Sequence, residues 1–289
     1  MTIGLWQFFS DAYVCMLPYN YRENVKGATG MNIGIIGGGA IAKFLLEEIN
    51  HRSETNLHIN SLLVRDENKY ANLSETYDVD LYTALDDFLG SHIDIVVEAA
   101  NIDAVQLLVP QILPKKDVVI ISIGAMADEV FYEKVHALAD EHGRSIYLPS
   151  GAIGGLDLLQ NAQSLGGVTK VSLTTRKPAH SLIDEDIHEE VVIFNGPARE
   201  AIKRYPKNIN VSIILSLAGI GIDETTVKII ADPHTDKNSH HIDISGAFGS
   251  TSLTVTNNPL EMNPKTSYLA ALSVLGTLKG LSSSIKIGT

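Results

Sequence analysis

Three consecutive glycines near the start of the chain, at positions 37–39, constrain the fold more than any other feature. Residues 32–37 (NIGIIG), which end at the first of these glycines, form a short apolar run of the kind found in buried parallel strands. Residues 40–48 (AIAKFLLEE) have the apolar periodicity of a helix. With Ala42, the segment therefore fits G-x-G-x-x-G/A between a strand and a helix, which is the context that gives this motif its meaning.

Each small residue of the motif has a role in binding a dinucleotide. Gly37 permits the tight turn, and Gly39 lets a pyrophosphate approach the backbone. Ala40 and Ile41 begin the helix, whose free N–H groups and partial positive charge favour phosphates. We therefore predict that Gly37, Gly39, Ala40 and Ile41 bind NAD or NADP. The alternative is a glycine turn without a ligand.

Apolar runs continue to alternate with helical segments up to residue 150. Further strands are predicted at 57–64, 93–99, 118–122 and 145–148, and helices at 84–89, 103–113 (broken by Pro110) and 128–142. This alternation predicts an α/β fold, namely a Rossmann-type, doubly wound parallel sheet in a domain spanning 31–150.

The pattern changes after residue 150. Residues 151–262 contain stretches of alternating polarity, which predict a second, α+β domain with a mixed or antiparallel sheet. In 263–289 we expect a helix, at 266–279, that packs back on the Rossmann domain. Residues 1–30 hold the chain's one tryptophan and one cysteine. We expect them to be a poorly ordered extension, the alternative being an arm whose aromatic residues bind a partner.

Charge and composition exclude several functions. A net charge of −12 argues against nucleic acid or an anionic membrane as partner, and no apolar run reaches the ~18 residues of a membrane span. A single cysteine excludes an internal disulfide and a cysteine-cluster zinc site, and the ten histidines lack metal-ligand spacing. We expect a cytoplasmic protein without a metal, and a homodimer as the default assembly.

The end of the second predicted strand bears on the choice between NAD and NADP. An acidic residue there usually binds the ribose 2′-OH of NAD. This chain has Val64 at that place, followed by Arg65 and Asp66. Arg65 can stack on adenine or pair with a 2′-phosphate, and Asp66 can still reach the ribose. We predict that NADP is accepted, with NAD as an alternative. If Arg65 is only a solvated charge, this prediction loses its basis.

Two adjacent histidines, His240 and His241, stand at the entry to a strand predicted at 241–245. Neighbouring residues in a strand point to opposite faces, so at most one of the two can face a cleft. A histidine that titrates near neutral pH is a suitable general acid or base, and His240 is the candidate. The alternative is a histidine on the surface.

Several segments resemble the L-aspartate dehydrogenase family. They are 37–42, 122–128 (SIGAMAD), 150–157 (SGAIGGLD), 174–177 (TTRK), 206–211 (PKNINV), 231–242, 246–249 (GAFG) and 263–273 (NPKTSYLAALS), and they extend from Met31 nearly to the end of the chain. The resemblance implies oxidation of L-aspartate to iminoaspartate, which hydrolyses to oxaloacetate and ammonia. It also implies that His240 is catalytic, although His241 leaves the register ambiguous, and that Ala152 and Asn210 contact the dinucleotide.

The implied substrate carries two carboxylates, which a chain of charge −12 must bind with local cations. The matching segments contain Arg176, Lys177, Lys207 and Lys265, and we predict Lys207 and Lys265 at the cleft. Their alternative role is at a helix end or on the surface. The product can feed NAD biosynthesis, or the enzyme can serve aspartate breakdown. Other readings are a dehydrogenase or reductase of the homoserine dehydrogenase or dihydrodipicolinate reductase type, and a non-enzymatic dinucleotide sensor.

Overall fold

The computed structural model describes residues 30–52, 56–205 and 210–288. The expected extension at 1–30 lies outside these residues, except for Gly30. The first half forms a six-stranded sheet in which all neighbouring strands are parallel: β1 (Met31–Ile36), β2 (Leu57–Leu63), β3 (Asp80–Tyr82), β4 (Ile95–Glu98), β5 (Asp117–Ile120) and β6 (Ile146–Tyr147). The order β3-β2-β1-β4-β5-β6 is that of a Rossmann sheet, which confirms the predicted fold class.

The central strands of this sheet are buried on both sides, because helices cover both of its faces. They are α1 (Ala40–Leu46), α2 (Glu67–Tyr77), α3 (Leu85–Gly90), α4 (Ile102–Ile112) and α5 (Glu129–His142). Helix α2 was not predicted from the sequence. Leu73 is buried, whereas the other residues of α2, all of them described, are exposed or half-buried, so the apolar periodicity is weak.

Pro110 does not break α4, and that prediction was wrong. The helix continues through the proline to Ile112. Proline removes one backbone hydrogen bond and usually destabilises a helix interior. Here Val109 and Ile112 on either side of it are fully buried, as is Val105 one turn earlier, and this burial offsets the loss.

The second half contains a mixed sheet with the order β11-β10-β7-β9-β8. Its strands are β7 (Val168–Pro178), β8 (Val191–Pro197), β9 (Thr226–Asp232), β10 (Asn238–Gly246) and β11 (Gly249–Asn257). The helices of this half are α6 (Leu156–Gln163), α7 (Ala198–Arg204) and α8 (Asn210–Ala218), and they share a buried core with the sheet's inner face. The β7–β9 pair is parallel and the other pairs are antiparallel, as expected for a mixed α+β sheet.

The chain returns to the first sheet at its end. Strand β12 (Pro259–Leu260) pairs with β13 (Asn263–Ser267). Because residue 266, the predicted start of the last helix, belongs to β13, that helix, α9 (Tyr268–Ser282), begins later than predicted. Buried residues of α9 such as Ala271 belong to the same apolar cluster as Ile33 of β1. The helix thereby forms a wall beside the Rossmann sheet. None of the helices in the described ranges has the length and apolar character needed to cross a membrane.

Candidate active site

The glycine loop has the shape that a dinucleotide requires. Gly37 has a φ of 102°, and a Cβ there would lie 2.8 Å from the carbonyl oxygen of Ala99, so only glycine fits. A Cβ on Gly39 would meet its nearest atom only at 4.0 Å, which leaves the backbone approachable from that side. Ala42 is fully buried, and Ala40 and Ile41 form the first turn of α1. These residues fit the pyrophosphate of NAD or NADP.

Glu98 joins the carboxyl ends of β4 and β5 beside this loop. Its fully buried carboxylate accepts hydrogen bonds from the Ala100 N–H (2.8 Å), the Ser122 N–H (3.0 Å) and the Ser122 hydroxyl (2.9 Å). Burial raises the pKa of Glu98, and the hydrogen bonds oppose that rise. Glu98 thus ties together two strand ends at the crevice where Rossmann sheets bind their ligands.

A cavity of about 240 Å³ lies between the Rossmann sheet, the second sheet and α9. Four of the predicted site residues line it: Ile41, Ala152, Asn210 and His240. Lys265, predicted to bind substrate, also lines it, together with Lys177. The structure therefore gathers residues from six separate segments of the chain around one cavity. Lys207 lies outside the described residues.

His240 faces this cavity from β10. The strand begins at Asn238, so His240 lies within it rather than in the loop that the sequence suggested. Its Cα partner on β7 is Thr175, and the Thr175 hydroxyl lies 3.0 Å from His240 Nδ1. The side chain is only 3% exposed. Burial, with a further contribution from the charge of Lys177, lowers the pKa of His240 to about 4, so the imidazole is neutral at pH 7.

His241 points to the opposite face of the sheet, which resolves the ambiguity of register. Its Nδ1 lies 2.7 Å from the Thr254 hydroxyl, and its Nε2 lies 3.2 Å from an Asp243 carboxylate oxygen. These partners belong to the polar outer face, where His241 is partly exposed. His240 is therefore the histidine that can reach a ligand in the cavity.

The cations of the TTRK segment divide between the two faces of β7. Arg176 Nη1 forms ion pairs with Glu190 and, at 2.6 Å, with Asp232. Lys177 is half-buried at the cavity, and burial lowers its pKa. Lys265 is exposed at the rim. Lys177 was not predicted at the cleft, whereas Lys207 and Lys265 were, because the sequence does not reveal which side of β7 meets the cleft.

Two residues that the sequence analysis did not select position the cavity wall at Ala152. Asn257 donates from Nδ2 to the Ala152 carbonyl oxygen at 3.0 Å. The Ser273 hydroxyl accepts a hydrogen bond from the Gly151 N–H at 3.1 Å. These side chains come from β11 and α9, so no local pattern around residue 150 indicates them. Within the described residues, no group of three or more acidic, histidine or cysteine side chains is placed to hold a metal ion.

The low pKa of His240 makes the stability of the ligand-free protein depend on pH. In the unfolded chain His240 takes up its proton near the ordinary pKa of 6.5, whereas in the folded chain it does so near 4. Between these values the unfolded state binds more protons, so the free energy of unfolding decreases as the pH falls from 6.5 towards 4. At about 1.4 kcal/mol per pKa unit, the contribution approaches about 3 kcal/mol.

We therefore expect His240→Gln to lose less stability than the wild type over this pH interval. Urea unfolding of both proteins at pH 6.5 and pH 4.5 measures the difference, and groups common to both proteins cancel. Equal losses in the two proteins would show that folded His240 protonates normally.

Comparisons with known proteins cover both halves of the chain. The family described as "Aspartate dehydrogenase, C-terminal" matches residues 157–281, and the family described as "Homoserine dehydrogenase, NAD binding domain" matches residues 37–149. The L-aspartate dehydrogenase of Methanosarcina acetivorans is 39% identical over 273 residues, which cover 90% of this chain and 100% of that protein. That of Methanocaldococcus jannaschii is 38% identical over 269 residues, again 90% and 100% of the two chains.

Solved structures have the same architecture. The aspartate dehydrogenase of Thermotoga maritima superimposes with a TM-score of 0.71 at 32% identity, covering 89% of this chain and 99% of that one. A scyllo-inositol dehydrogenase from Lactobacillus casei reaches a TM-score of 0.55 at 14% identity, covering 90% of each chain, and at that identity it shows only a shared fold.

Proposed function

The chain belongs to the L-aspartate dehydrogenase family, and from this premise we propose that it catalyses the NAD(P)-dependent oxidative deamination of L-aspartate. The product is iminoaspartate, which hydrolyses to oxaloacetate and ammonia. The observation that carries the proposal is the cavity itself, where His240 and Lys177 meet the predicted cofactor residues Ile41, Ala152 and Asn210.

The cofactor, when bound, supplies the hydride acceptor for the substrate Cα. The chain supplies the means of holding it: the glycine loop with Gly37 and Gly39, the first turn of α1, and the cavity wall at Ala152 and Asn210. The hydrogen bonds of Asn257 and Ser273 keep that wall in place. A cofactor held by these residues would have its nicotinamide next to the space in which His240 and Lys177 can hold a substrate.

His240 is proposed as the general base. If its Nδ1–H donates to the Thr175 hydroxyl, Nε2 is left as a proton acceptor. The neutral imidazole can accept a proton from the substrate amine or from the water that hydrolyses the imine. The negative charge of a bound substrate's carboxylates would oppose the effects of burial and of Lys177, and so would raise the pKa of His240 above its value in the ligand-free protein.

Lys177 and Lys265 are proposed to bind the two substrate carboxylates, and Lys207 remains a further candidate. Lys177 and Lys265 both line the cavity. Lys177 is half-buried, and Lys265 is exposed at the rim. A buried ammonium forms stronger charge-assisted hydrogen bonds than an exposed one, since little water competes for it. Lys177 should therefore contribute more to substrate affinity than Lys265.

An assay of purified protein with L-aspartate and with each of NAD and NADP tests the proposed function. Reduced cofactor should form with L-aspartate and not with L-homoserine or L-glutamate at equal concentration. Faster turnover of L-homoserine would favour the homoserine dehydrogenase type, whose family matches only the cofactor half. Cofactor binding without turnover of any amino acid would favour a sensor.

We also propose a cytoplasmic homodimer whose product feeds NAD biosynthesis. Closed twofold assemblies are the commonest oligomers of soluble enzymes. Sedimentation velocity of the purified protein tests the dimer, and a monomer at micromolar concentration would contradict it. To test the pathway, this chain is expressed in a bacterial strain that lacks its own source of iminoaspartate, and growth is measured without nicotinate. Only a chain that supplies iminoaspartate restores growth.

A further inference from the structure

We infer that the cofactor site of this chain selects NADP over NAD, through a 2′-phosphate subsite formed by Arg65 and Lys69. The inference deepens the proposed function, on which it rests for the class of cofactor.

The subsite lies where β2 meets the glycine loop. The Gly37 N–H donates to the Leu63 carbonyl oxygen at 2.9 Å, so the last residue of β2 lies directly beside the loop. Tyr70 of α2 closes the loop from the other side, since a Cβ on Gly38 would lie only 2.5 Å from its ring. In a Rossmann fold the adenosine ribose binds at this end of the second strand. Residues 64–70 would therefore lie around the ribose 2′ position of a bound dinucleotide.

The residue directly after β2 does not carry the carboxylate that usually binds the ribose of NAD. The residue following β2 is Val64, which is 5% exposed and apolar. Asp66 is the N-cap of α2, and its Oδ1 accepts a hydrogen bond from the Asn68 N–H at 3.0 Å. A carboxylate that caps its own helix is held towards the helix backbone. The interaction that normally selects the 2′-OH of NAD is therefore weakened here.

Two cations occupy the same turn. Arg65 is exposed and forms no ion pair with any residue in the described part of the chain. Lys69 lies in the first turn of α2, with its Nζ 5.3 Å from the centre of the Tyr70 ring. Glu67 is exposed between them, but no ion pair joins it to either cation in the described residues. A guanidinium can bind a phosphate through two parallel hydrogen bonds, and a nearby ammonium adds a second positive charge.

Neither Arg65 nor Lys69 has an acidic ion-pair partner among the described residues, although Asp66 and Glu67 lie between them in the sequence. The chain carries a net charge of −12, so cations without an acidic partner at a ligand site indicate an anionic ligand. The pyrophosphate is already served by the glycine loop and the first turn of α1. The remaining anion of a dinucleotide that reaches residues 64–70 is the 2′-phosphate of NADP.

Calorimetric titration with NADP, NAD, 2′,5′-ADP and 5′-AMP tests the subsite without any turnover. We expect NADP to bind at least about tenfold more tightly than NAD, and 2′,5′-ADP more tightly than 5′-AMP by a similar factor. Arg65→Gln should weaken NADP and 2′,5′-ADP by about tenfold to a hundredfold and leave NAD within about threefold. Lys69→Gln should have a smaller effect in the same direction.

The matched control is Lys134→Gln, which removes one exposed positive charge from α5 and should change none of these affinities. Equal or tighter binding of NAD by the wild type would overturn the inference. So would an equal loss of NAD and NADP affinity in Arg65→Gln, because that result means that Arg65 stacks on the adenine shared by both. Selective NADP binding without aspartate turnover would support the subsite and contradict only the proposed function.

Discussion

Replacing His240 with alanine should lower kcat for L-aspartate by about 10²–10⁴-fold, the usual contribution of a positioned general acid or base. His240 faces the cavity, and its Nδ1 is fixed 3.0 Å from the Thr175 hydroxyl, so its Nε2 is the ring atom left to meet a ligand. Dinucleotide affinity should stay within about threefold, because the glycine loop, which we propose as the phosphate site, lies in the first half of the chain. Steady-state kinetics and a cofactor titration measure the two effects.

His241→Ala is the matched control for this experiment. The two histidines are adjacent in β10, but His241 contacts Thr254 and Asp243 on the outer face of the sheet. Its removal should leave kcat within a few fold of the wild type. If His241→Ala were the inactive variant, or if His240→Ala kept a near-normal kcat, the catalytic assignment of His240 would be wrong.

Replacing Lys177 with methionine should lower kcat/KM for L-aspartate by about 10²–10³-fold, mostly through a higher KM. Truncating one partner of a buried, hydrogen-bonded charge pair typically costs about 2–5 kcal/mol, because the other charge is left uncompensated. Methionine keeps the length of the aliphatic stem and removes only the charge. Lys177 also lowers the pKa of His240, so the acidic limb of the kcat/KM profile should move to higher pH.

Lys170→Met provides the control on the same strand. Lys170 is exposed on β7, away from the cavity, so its loss should change neither KM nor the pH profile. Initial rates across a range of aspartate concentrations and pH values distinguish the variants. An unchanged KM in Lys177→Met would assign the substrate carboxylates to Lys265 or Lys207 instead.

Much of the cofactor half could be predicted from local sequence. The motif at residues 37–42 specifies a strand, a turn with positive φ and a helix within a few residues, so its structure depends little on distant contacts. Two helices of this half were harder to predict. Helix α2 buries Leu73 and little else, and α4 contains Pro110, so propensity and periodicity misjudged both.

The substrate half shows a different limit. The resemblance directed attention to His240, Ala152 and Asn210, which line one cavity, but nothing in the neighbouring residues indicated Thr175, Asn257 or Ser273. Each of these acts on a residue more than sixty positions away. Such contacts follow from strand pairing and helix docking, which a single sequence does not reveal.

The sequence by itself determined the glycine loop and the alternation of strands and helices, because both depend on residues adjacent in the chain. Only the tertiary structure decided which histidine and which cation face the cleft. A shift of one residue in strand register exchanges the two faces of a strand, and the pairing of His240 with Thr175 sets that register. The glycine loop alone therefore does not define a reaction. The cavity proposed as the active site forms only when β7, β10 and α9 pack around it.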